Sequence, residues 1–313
     1  MDMLQTLAQY GIVPVIKVDH AEEAVPLCRA LSAGGLPVAE ITFRTAAAEE
    51  AIRQVAQALP EVVLGAGTVL TIEQVQRAVA AGAGYIVSPG FNPKIVSYCV
   101  EHQIPVLPGC SNPSDIELAL EMGLKTVKFF PAEAVGGLAA IRAMSAPYGD
   151  LTFVPTGGIS EKNLCEYLAF PKILACGGSW MAKPEWIAAG DFASIESVTR
   201  TAVQKMLGFE LAHIGVNCAD ADGALQLAQT LCKLLGWNIK EGNSSVFAGG
   251  AVEAMKKPGR GAKGHIAIAT NSLMRAKAYL KRQDVVFDDT TDNGKAVYFA
   301  EEIAGFAFHL LQK

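Results

Sequence analysis

The stretch VVLGAGTVLTIEQVQRAVAAGAGYIVSPG, residues 62–90, carries the pattern that decides the fold. It begins with a short run rich in β-branched residues (62–69), continues with an alanine-rich helical segment (71–84) and ends in a second short apolar run (85–90). Short apolar runs bounded by turn residues are typical of buried strands. A strand, a helix and a second strand in this order predict two parallel strands joined by a helical crossover.

The same alternation occurs eight times between residue 11 and about residue 207. The predicted strands are GIVPVIKV (11–18), VAEITFR (38–44), VVLGAGTV (62–69), YIVSPG (85–90), PVLPGC (105–110), TVKFFPA (126–132), TFVPTGG (152–158) and ILACGGSW (173–180). Eight strand–helix units over ~200 residues indicate the α/β class and a closed (β/α)₈ barrel of the TIM type. A doubly wound open sheet fits less well, because no GxGxxG motif opens the first helix.

The pattern changes after a predicted eighth helix at 183–207. Strand FELAHIGVNCA, helix DGALQLAQTLCKLLG and strands WNIKE, SVFAG and AVEAMKK follow, and a similar order resumes at HIAIAT after the basic link KKPGRGAKG. This order is one βαββ(β) module written twice, which is a weak internal repeat. We therefore expect a barrel domain at 1–207 and a smaller α+β domain at 208–313.

The composition excludes several function classes. Hydrophobic residues make up 51% of the chain and charged residues 18%, which is typical of a well-packed globular protein. The formal net charge of -5 gives no basic surface for nucleic acid. The seven cysteines form no CxxC pair, so we expect reduced thiols in a cytoplasmic protein. No segment reaches the ~18 apolar residues of a membrane span, and the N-terminal residues lack a signal-peptide pattern.

One lysine interrupts an apolar run in TVKFFPAEAVGG, residues 126–137. A charged ammonium group is costly to bury, so burial beside Phe129 and Phe130 would favour the neutral amine. A neutral amine can attack a carbonyl carbon and form an imine. Lys128 is therefore a candidate nucleophile, with a solvated lysine at a strand end as the alternative.

Functional side chains of such barrels lie at the C-terminal ends of the strands. The residues that meet this criterion are Glu40, Arg44, Thr68, Lys128, Thr156, Gly157, Gly158, Gly177, Gly178 and Ser179. A carboxylate facing the lysine can move protons, and an arginine with a threonine can hold a substrate carboxylate. The glycine-rich turns after strands seven and eight, each expected to open a helix, suit a phosphate. Lys17, near the end of strand one, is a further candidate for binding an anion.

Six segments in this order resemble the 2-keto-3-deoxy-6-phosphogluconate (KDPG) and 4-hydroxy-2-oxoglutarate (KHG) aldolases. The segments are VAEITFRT, GAGTV, SPGF, VKFFPAE, PTGGIS and GGSW, and the resemblance covers about residues 8–205. It implies that Lys128 forms the Schiff base and that Glu40 is the general acid/base. It also implies that Arg44 and Thr68 hold the pyruvyl carboxylate. The implied contacts with the rest of the substrate are Pro89, Phe130, Gly158, Gly178 and Ser179.

The resemblance implies a reaction as well. KDPG would be cleaved to pyruvate and glyceraldehyde 3-phosphate, or KHG to pyruvate and glyoxylate. The expected partner is therefore a small keto acid, phosphorylated in the first case. No cofactor or metal ion is expected in the barrel, because a protonated imine withdraws the electrons. Relatives of this barrel are commonly trimers, so a homotrimer is expected.

The C-terminal segment resembles the vicinal oxygen chelate fold of glyoxalases and dioxygenases. The motifs HIGV and GHIAIA occupy the first strand of each module. The resemblance implies metal ligands at His213, Glu253, His265 and His309, and such a set suits Zn, Ni, Mn or Fe. A degenerate copy of this fold, which only stabilises the aldolase or its oligomer, is the alternative.

Two further alternatives concern the barrel. It could be catalytically vestigial and serve as a ligand-binding or scaffolding partner of the C-terminal domain. It could also cleave an unphosphorylated 2-keto-3-deoxy sugar acid. Glu40, finally, could merely pair with Arg44, since the two residues share one face of a strand.

Overall fold

A computed structural model describes residues 3–313, and the chain divides after Met206 into two compact units. The first unit is the predicted (β/α)₈ barrel. Its strands are β1 (Ile12–Ile16), β2 (Val38–Thr42), β3 (Val63–Gly67), β4 (Tyr85–Val87), β5 (Val106–Leu107), β6 (Thr126–Phe129), β7 (Thr152–Pro155) and β8 (Cys176–Gly178). The predicted strands are longer than these, because the residues after each strand form loops at its C-terminal end.

The barrel closes through two pieces of parallel sheet. One piece runs in the order β5-β4-β3-β2-β1-β8, and β6 pairs with β7 in the other. The isolated bridges Gly109↔Lys128 and Thr156↔Gly177 join the pieces at both edges. The open, doubly wound alternative is therefore wrong.

Helices surround these strands. They are α1 (Met3–Tyr10), α2 (Ala24–Ala33), α3 (Ala48–Ala58), α4 (Ile72–Ala81), α5 (Pro93–Glu101), α6 (Pro113–Glu121), α7 (Gly137–Ser145), α8 (Leu164–Leu168), α9 (Pro184–Ala188) and α10 (Phe192–Leu207). Short 3₁₀ helices lie at Ala21–Glu23, Glu133–Val135 and, in the second unit, Asp289–Thr291. The prediction of one helix at 183–207 is wrong, because α9 ends at Ala188 and Gly190, with a φ of +66°, turns the chain before α10 begins. None of the helices described is long and apolar enough to cross a membrane.

The stretch at 62–90 shows how local chemistry sets the element boundaries. The Thr71 hydroxyl accepts a hydrogen bond from the Gln74 amide at 3.1 Å and so caps the start of α4. Gly82 ends the helix in the left-handed conformation, with a φ of +110°. The chain then returns into β4, whose residues are all buried.

Glycines on β3 leave room for side chains of neighbouring strands. Gly65 pairs with Glu40 of β2 on one side and with Tyr85 of β4 on the other. A Cβ atom at position 65 would lie 2.2 Å from Cζ of the Tyr85 ring. The fully buried tyrosine therefore lies directly over the Gly65 backbone.

The second unit contains one continuous eight-stranded sheet. Its strands are β9 (Glu210–Asn217), β10 (Ile239–Glu241), β11 (Ser245–Ala248), β12 (Val252–Met255), β13 (His265–Thr270), β14 (Phe287–Asp288), β15 (Ala296–Phe299) and β16 (Ala307–Gln312). Helices α11 (Ala221–Leu235) and α12 (Leu273–Lys281) follow β9 and β13. The order is β10-β11-β12-β9-β13-β16-β15-β14, so each predicted module forms one half of the sheet.

In the first half of the second unit, the hydrophobic core lies between α11 and the sheet. Ala224, Ala228 and Cys232 of α11 pack against Val246 and Ala254 of the sheet. The small side chains on α11 let the helix approach the strands closely.

We predict that Gly65→Ala destabilises the first unit by about 1–3 kcal/mol, because the added methyl group must displace a fully buried ring. Chemical denaturation measures the loss. The matched control is Gly149→Ala, where a Cβ atom would meet no described atom within 4 Å. Equal denaturation midpoints for the two variants would contradict this packing.

Candidate active site

A lysine and a glutamate meet inside the barrel. Lys128 of β6 and Glu40 of β2 are only 5% and 4% exposed, and Lys128 Nζ lies 3.7 Å from Glu40 Oε1. Lys128 Nζ also lies 5.1 Å from the centroid of the Phe130 ring. Lys128 is therefore not a solvated lysine at a strand end, and Glu40 faces Lys128 instead of Arg44.

The backbone on both sides of Lys128 is fixed. Its amide donates to the Pro108 carbonyl at 2.9 Å, and its carbonyl accepts from the Cys110 amide at 2.8 Å. On the other side Lys128 pairs with Val154 of β7. The ammonium group thus extends from a rigid part of the wall.

Gly67 makes room for the carboxylate. A Cβ atom at position 67 would lie 2.2 Å from Glu40 Oε1. Within residues 3–313 that buried oxygen has no hydrogen-bond partner. The carboxylate is therefore free to accept a proton or a hydrogen bond from a substrate.

Arg44 and Thr68 lie together at the C-terminal ends of β2 and β3. Arg44 Nε donates to Thr68 Oγ1 at 3.3 Å. Thr68 has a φ of +55°, which is uncommon for a β-branched residue and marks a backbone held in place by its surroundings. The pair presents a guanidinium group and a hydroxyl group at the mouth of the barrel.

A cavity of about 260 Å³ opens at the same end of the barrel. The residues that line it are Val15, Ile16, Lys17, Thr42, Arg44, Phe130, Thr156, Gly157, Gly158, Ile159, Gly178, Ser179, Ala182 and Pro184. Eight of them were predicted from the sequence, whereas five predicted residues are not among the lining residues: Glu40, Thr68, Pro89, Lys128 and Gly177. Thr42 was missed. Its position two residues after Glu40, on the same face of β2, is the signal that could have identified it.

The turns after β7 and β8 have a distinctive backbone. Gly157 and Gly158 have φ values of +97° and +85°, which L side chains rarely adopt. Gly177 leaves space for Thr156, since a Cβ atom there would lie 2.3 Å from Thr156 Oγ1. That hydroxyl is buried and unpartnered in the part of the chain that the structure describes.

The expectation that each of these turns opens a helix is wrong. The nearest helices, α8 and α9, begin only at Leu164 and Pro184. Exposed Lys17 follows β1, the strand that pairs with β8, and its Nζ lies 2.6 Å from Asp19 Oδ1. An anion in the cavity would therefore meet turn amides and Lys17 instead of a helix N-terminus.

A second cluster lies in the second unit, on the four central strands. The imidazole nitrogens of His213 (β9), His265 (β13) and His309 (β16) lie within 4.8 Å of one another. Nε2 of His213 lies 3.2 Å from Nε2 of His265, and each is 3.1 Å from Glu253 Oε2 on β12. The four predicted ligands thus converge.

Two titratable groups of this cluster have strongly shifted pKa values. Hydrogen bonds from His213 and then His265 hold the pKa of the Glu253 carboxyl well below its usual range. Burial, followed by the nearby His265, lowers the pKa of His309 to about 4. Both His309 nitrogens are buried without a partner among the described residues. Such a neutral, unpartnered imidazole is a potential metal ligand.

Two supporting residues of the cluster were not predicted. Ser245 Oγ donates to Glu253 Oε1 at 2.6 Å and fixes the carboxylate. Gly215 lies between Glu253 and His265 in the sheet, and a Cβ atom there would lie 2.0 Å from Cε1 of His265. Local sequence does not identify a glycine whose role is to leave space for a side chain of a neighbouring strand.

Comparisons with known proteins agree with the barrel geometry. A family model described as KDPG and KHG aldolase matches residues 3–198. The 2-dehydro-3-deoxy-phosphogluconate aldolase of Treponema pallidum (strain Nichols) is 50% identical over 202 residues, which cover 64% of this chain and 96% of that relative.

Two solved structures match an equal share of this chain. The KDPG aldolase from Legionella pneumophila, with pyruvate captured as a covalent carbinolamine, has a TM-score of 0.63 and 36% identity, and 64% of this chain covers 98% of it. The aldolase of Zymomonas mobilis ZM4 with 3-phosphoglycerate has a TM-score of 0.59 and 37% identity, over 64% of this chain and 94% of that one. Through residues 3–198, this chain belongs to the KDPG and KHG aldolase family of lyases.

Proposed function

We propose that this chain is a class I aldolase whose barrel cleaves KDPG to pyruvate and glyceraldehyde 3-phosphate, KHG to pyruvate and glyoxylate, or both. The observation that carries the proposal is the buried Lys128–Glu40 pair, with 3.7 Å between Nζ and Oε1. An amine and a proton acceptor at this separation are what imine formation requires. A catalytically vestigial barrel is not favoured, because every group that this chemistry needs is present.

The proposed reaction begins at the ketone carbon of the substrate. Glu40 accepts a proton from the Lys128 ammonium group, and the neutral amine attacks C2 to form a carbinolamine. Glu40 returns its proton to the carbinolamine hydroxyl, and loss of water gives a protonated imine. Glu40, again as a carboxylate, removes the C4 hydroxyl proton while the C3–C4 bond breaks, and the bonding electrons move into the imine to form an enamine. Protonation of the enamine and hydrolysis then release pyruvate and restore Lys128.

We assign binding of the pyruvyl carboxylate to Arg44 and Thr68. Their side chains already contact each other at the mouth of the barrel, so a carboxylate can bind both groups without rearrangement. Phe130 and Thr156 line the same cavity as Arg44 and the glycine turns. We assign Pro89 and Gly177, which lie outside the lining, to shaping the wall.

We assign the distal phosphate to the Gly157–Gly158 turn, Gly178, Ser179 and Lys17. Backbone amides of such turns and a nearby ammonium group suit a dianion. The relative from Zymomonas mobilis was solved with 3-phosphoglycerate, which supports a phosphorylated substrate here. KHG and an unphosphorylated sugar acid remain alternatives that parallel assays with the three substrates distinguish.

The cellular location and the oligomeric state of the enzyme are also proposals. All seven cysteines are free thiols, which supports a cytoplasmic location. The homotrimer rests on the family resemblance alone, and measurement of the molar mass in solution tests it.

We further propose a divalent metal centre in the second unit, formed by His213, Glu253, His265 and His309. With metal–ligand bonds of ~2.05 Å, neighbouring ligand atoms lie about 3.3 Å apart in a tetrahedral site and about 2.9 Å apart in an octahedral site. The distances of 3.1 to 3.2 Å among His213, His265 and Glu253 lie between these two values. Imidazole and carboxylate ligands suit Zn, Ni, Mn or Fe.

We predict that Lys128→Arg and Lys128→Ala abolish cleavage, because neither side chain can form an imine. A steady-state assay of pyruvate release measures the effect. Lys125→Arg, an exposed lysine on the same segment, is the matched control and should keep the parental rate. Appreciable turnover by Lys128→Arg would overturn the assignment.

We predict that Glu40→Gln lowers kcat by ~10²–10⁴, the usual contribution of a positioned acid/base. The amide keeps the size of the side chain but cannot accept the proton. A variant that turns over at the parental rate would show that another group moves the protons.

We predict that the purified chain, prepared without a histidine tag, carries about one divalent ion, and that His309→Ala or His265→Ala reduces this content severalfold. Elemental analysis measures it, with His102→Ala, an exposed histidine of the first unit, as the control. Chelation by EDTA should leave cleavage unchanged, because the imine is the electron sink. Metal-free protein that takes up no Zn, Ni or Mn would contradict the metal centre.

A further inference from the structure

Glu133 places an acidic side chain beside the turn to which we assign the phosphate, and the proposed mechanism does not use it. Its backbone amide donates to the Gly157 carbonyl at 3.0 Å. A Cβ atom at Gly158 would lie 2.4 Å from Glu133 Cγ, so the stem of the glutamate packs directly against the turn. Because a carboxylate repels a phosphate dianion, its position beside this turn requires a specific explanation.

A buried tyrosine holds this carboxylate. Tyr167 of α8 is 2% exposed, and its hydroxyl donates to Glu133 Oε1. Both atoms lie over Gly137 at the start of α7, where a Cβ atom would be 3.0 Å from Glu133 Oε1 and 3.1 Å from the Tyr167 hydroxyl oxygen. Burial first, and the hydrogen bond to Glu133 second, raise the pKa of Tyr167 well above its usual range, so the hydroxyl remains a donor at neutral pH. Glu133 thus contacts the turn with its stem while its carboxylate is held at α7.

The segment that carries Tyr167 also holds the turn directly. Asn163, which precedes α8, donates from Nδ2 to the Gly158 carbonyl at 3.1 Å and accepts from the Ser160 amide at 2.8 Å. The Tyr167 amide donates to the Asn163 carbonyl at 3.1 Å, so the two residues lie one helical turn apart on the same face. This face therefore contacts both the turn and the residue that supports it.

We propose that Tyr167 and Glu133 are positioning residues that set the preference for a phosphorylated substrate. The Glu133 stem supports the Gly157–Gly158 turn, and the Tyr167 hydroxyl keeps the Glu133 carboxylate directed at Gly137 and away from the phosphate. This inference rests on the proposed aldolase function and on its assignment of the phosphate to this turn. The two glycines line the cavity, whereas Tyr167 and Glu133 are not among its lining residues, so both act through the turn.

Kinetics of Tyr167→Phe with two substrates test the proposal. The substrates are KDPG and 2-keto-3-deoxygluconate, which is the same acid without the phosphate. Because Glu133 is exposed, its carboxylate can rotate towards the turn once the hydroxyl is removed. We expect the ratio of kcat/KM for KDPG to kcat/KM for the unphosphorylated acid to fall roughly 5-fold or more, mainly through a higher KM for KDPG. Tyr148→Phe, which removes a hydroxyl that donates to Glu117, is the matched control.

A double-mutant cycle separates this role from a merely structural one. In the Glu133→Gln background, Tyr167→Phe should lower the ratio less than about twofold, because no carboxylate remains to be released. Borohydride trapping of the imine with pyruvate, which depends on Lys128, should proceed at the parental rate in Tyr167→Phe. The proposal would be overturned by an unchanged ratio in Tyr167→Phe, by an equally large fall in the Glu133→Gln background, or by slower trapping.

Failure of the proposed function has a different signature, which appears in the parental protein. A parental protein that releases no pyruvate from KDPG, KHG or the unphosphorylated acid would contradict the aldolase function itself. One that cleaves KDPG and the unphosphorylated acid equally well would show that the turn does not bind a phosphate, and would overturn the inference with it. In a parental enzyme that prefers KDPG, the ratios of the variants alone decide the role of Tyr167 and Glu133.

Discussion

An ammonium group and a carboxylate group, 3.7 Å apart and almost fully buried, impose the constraint on which the first unit depends. Two charges removed from water are stabilised only if their surroundings fix both of them. A closed barrel does so, because Lys128 and Glu40 extend inward from strands that are hydrogen-bonded on both sides. The glycines at 65 and 67 belong to the same arrangement, since side chains from neighbouring strands occupy the space that they leave.

Much of the barrel could be predicted from local sequence. The eight β-branched runs identified the strands, and a charged residue inside an apolar run identified Lys128. The position at the strand ends placed Glu40 with Lys128, but the local pattern left Arg44 as an alternative partner. Arg44 lies four residues away on the same face, whereas Lys128 is brought near only by closure of the sheet. The break at Gly190 and the late starts of α8 and α9 depend on how each chain segment returns to the barrel, which residue type alone does not determine.

In the second unit, too, some features could be predicted from local sequence, and others depend on contacts between residues far apart in the chain. The order of its strands and helices followed from the repeated pattern, and the structure gives each module one half of a continuous sheet. The proximity of its histidines depends on the arrangement β12-β9-β13-β16, which brings together residues far apart in the chain. The resemblance to the vicinal oxygen chelate fold suggested these ligands, and the metal they would hold remains a proposal. Ser245 and Gly215 support the cluster only through this tertiary arrangement.

The central claim is that Lys128 is the amine that becomes covalently linked to substrate. Reduction of the protein with borohydride in the presence of pyruvate, followed by intact-mass measurement and peptide mapping, tests it most directly. The account predicts a single stable adduct per chain, on the peptide that contains Lys128, and none when borohydride or pyruvate is omitted. An unmodified Lys128, or an adduct on another lysine, would contradict it.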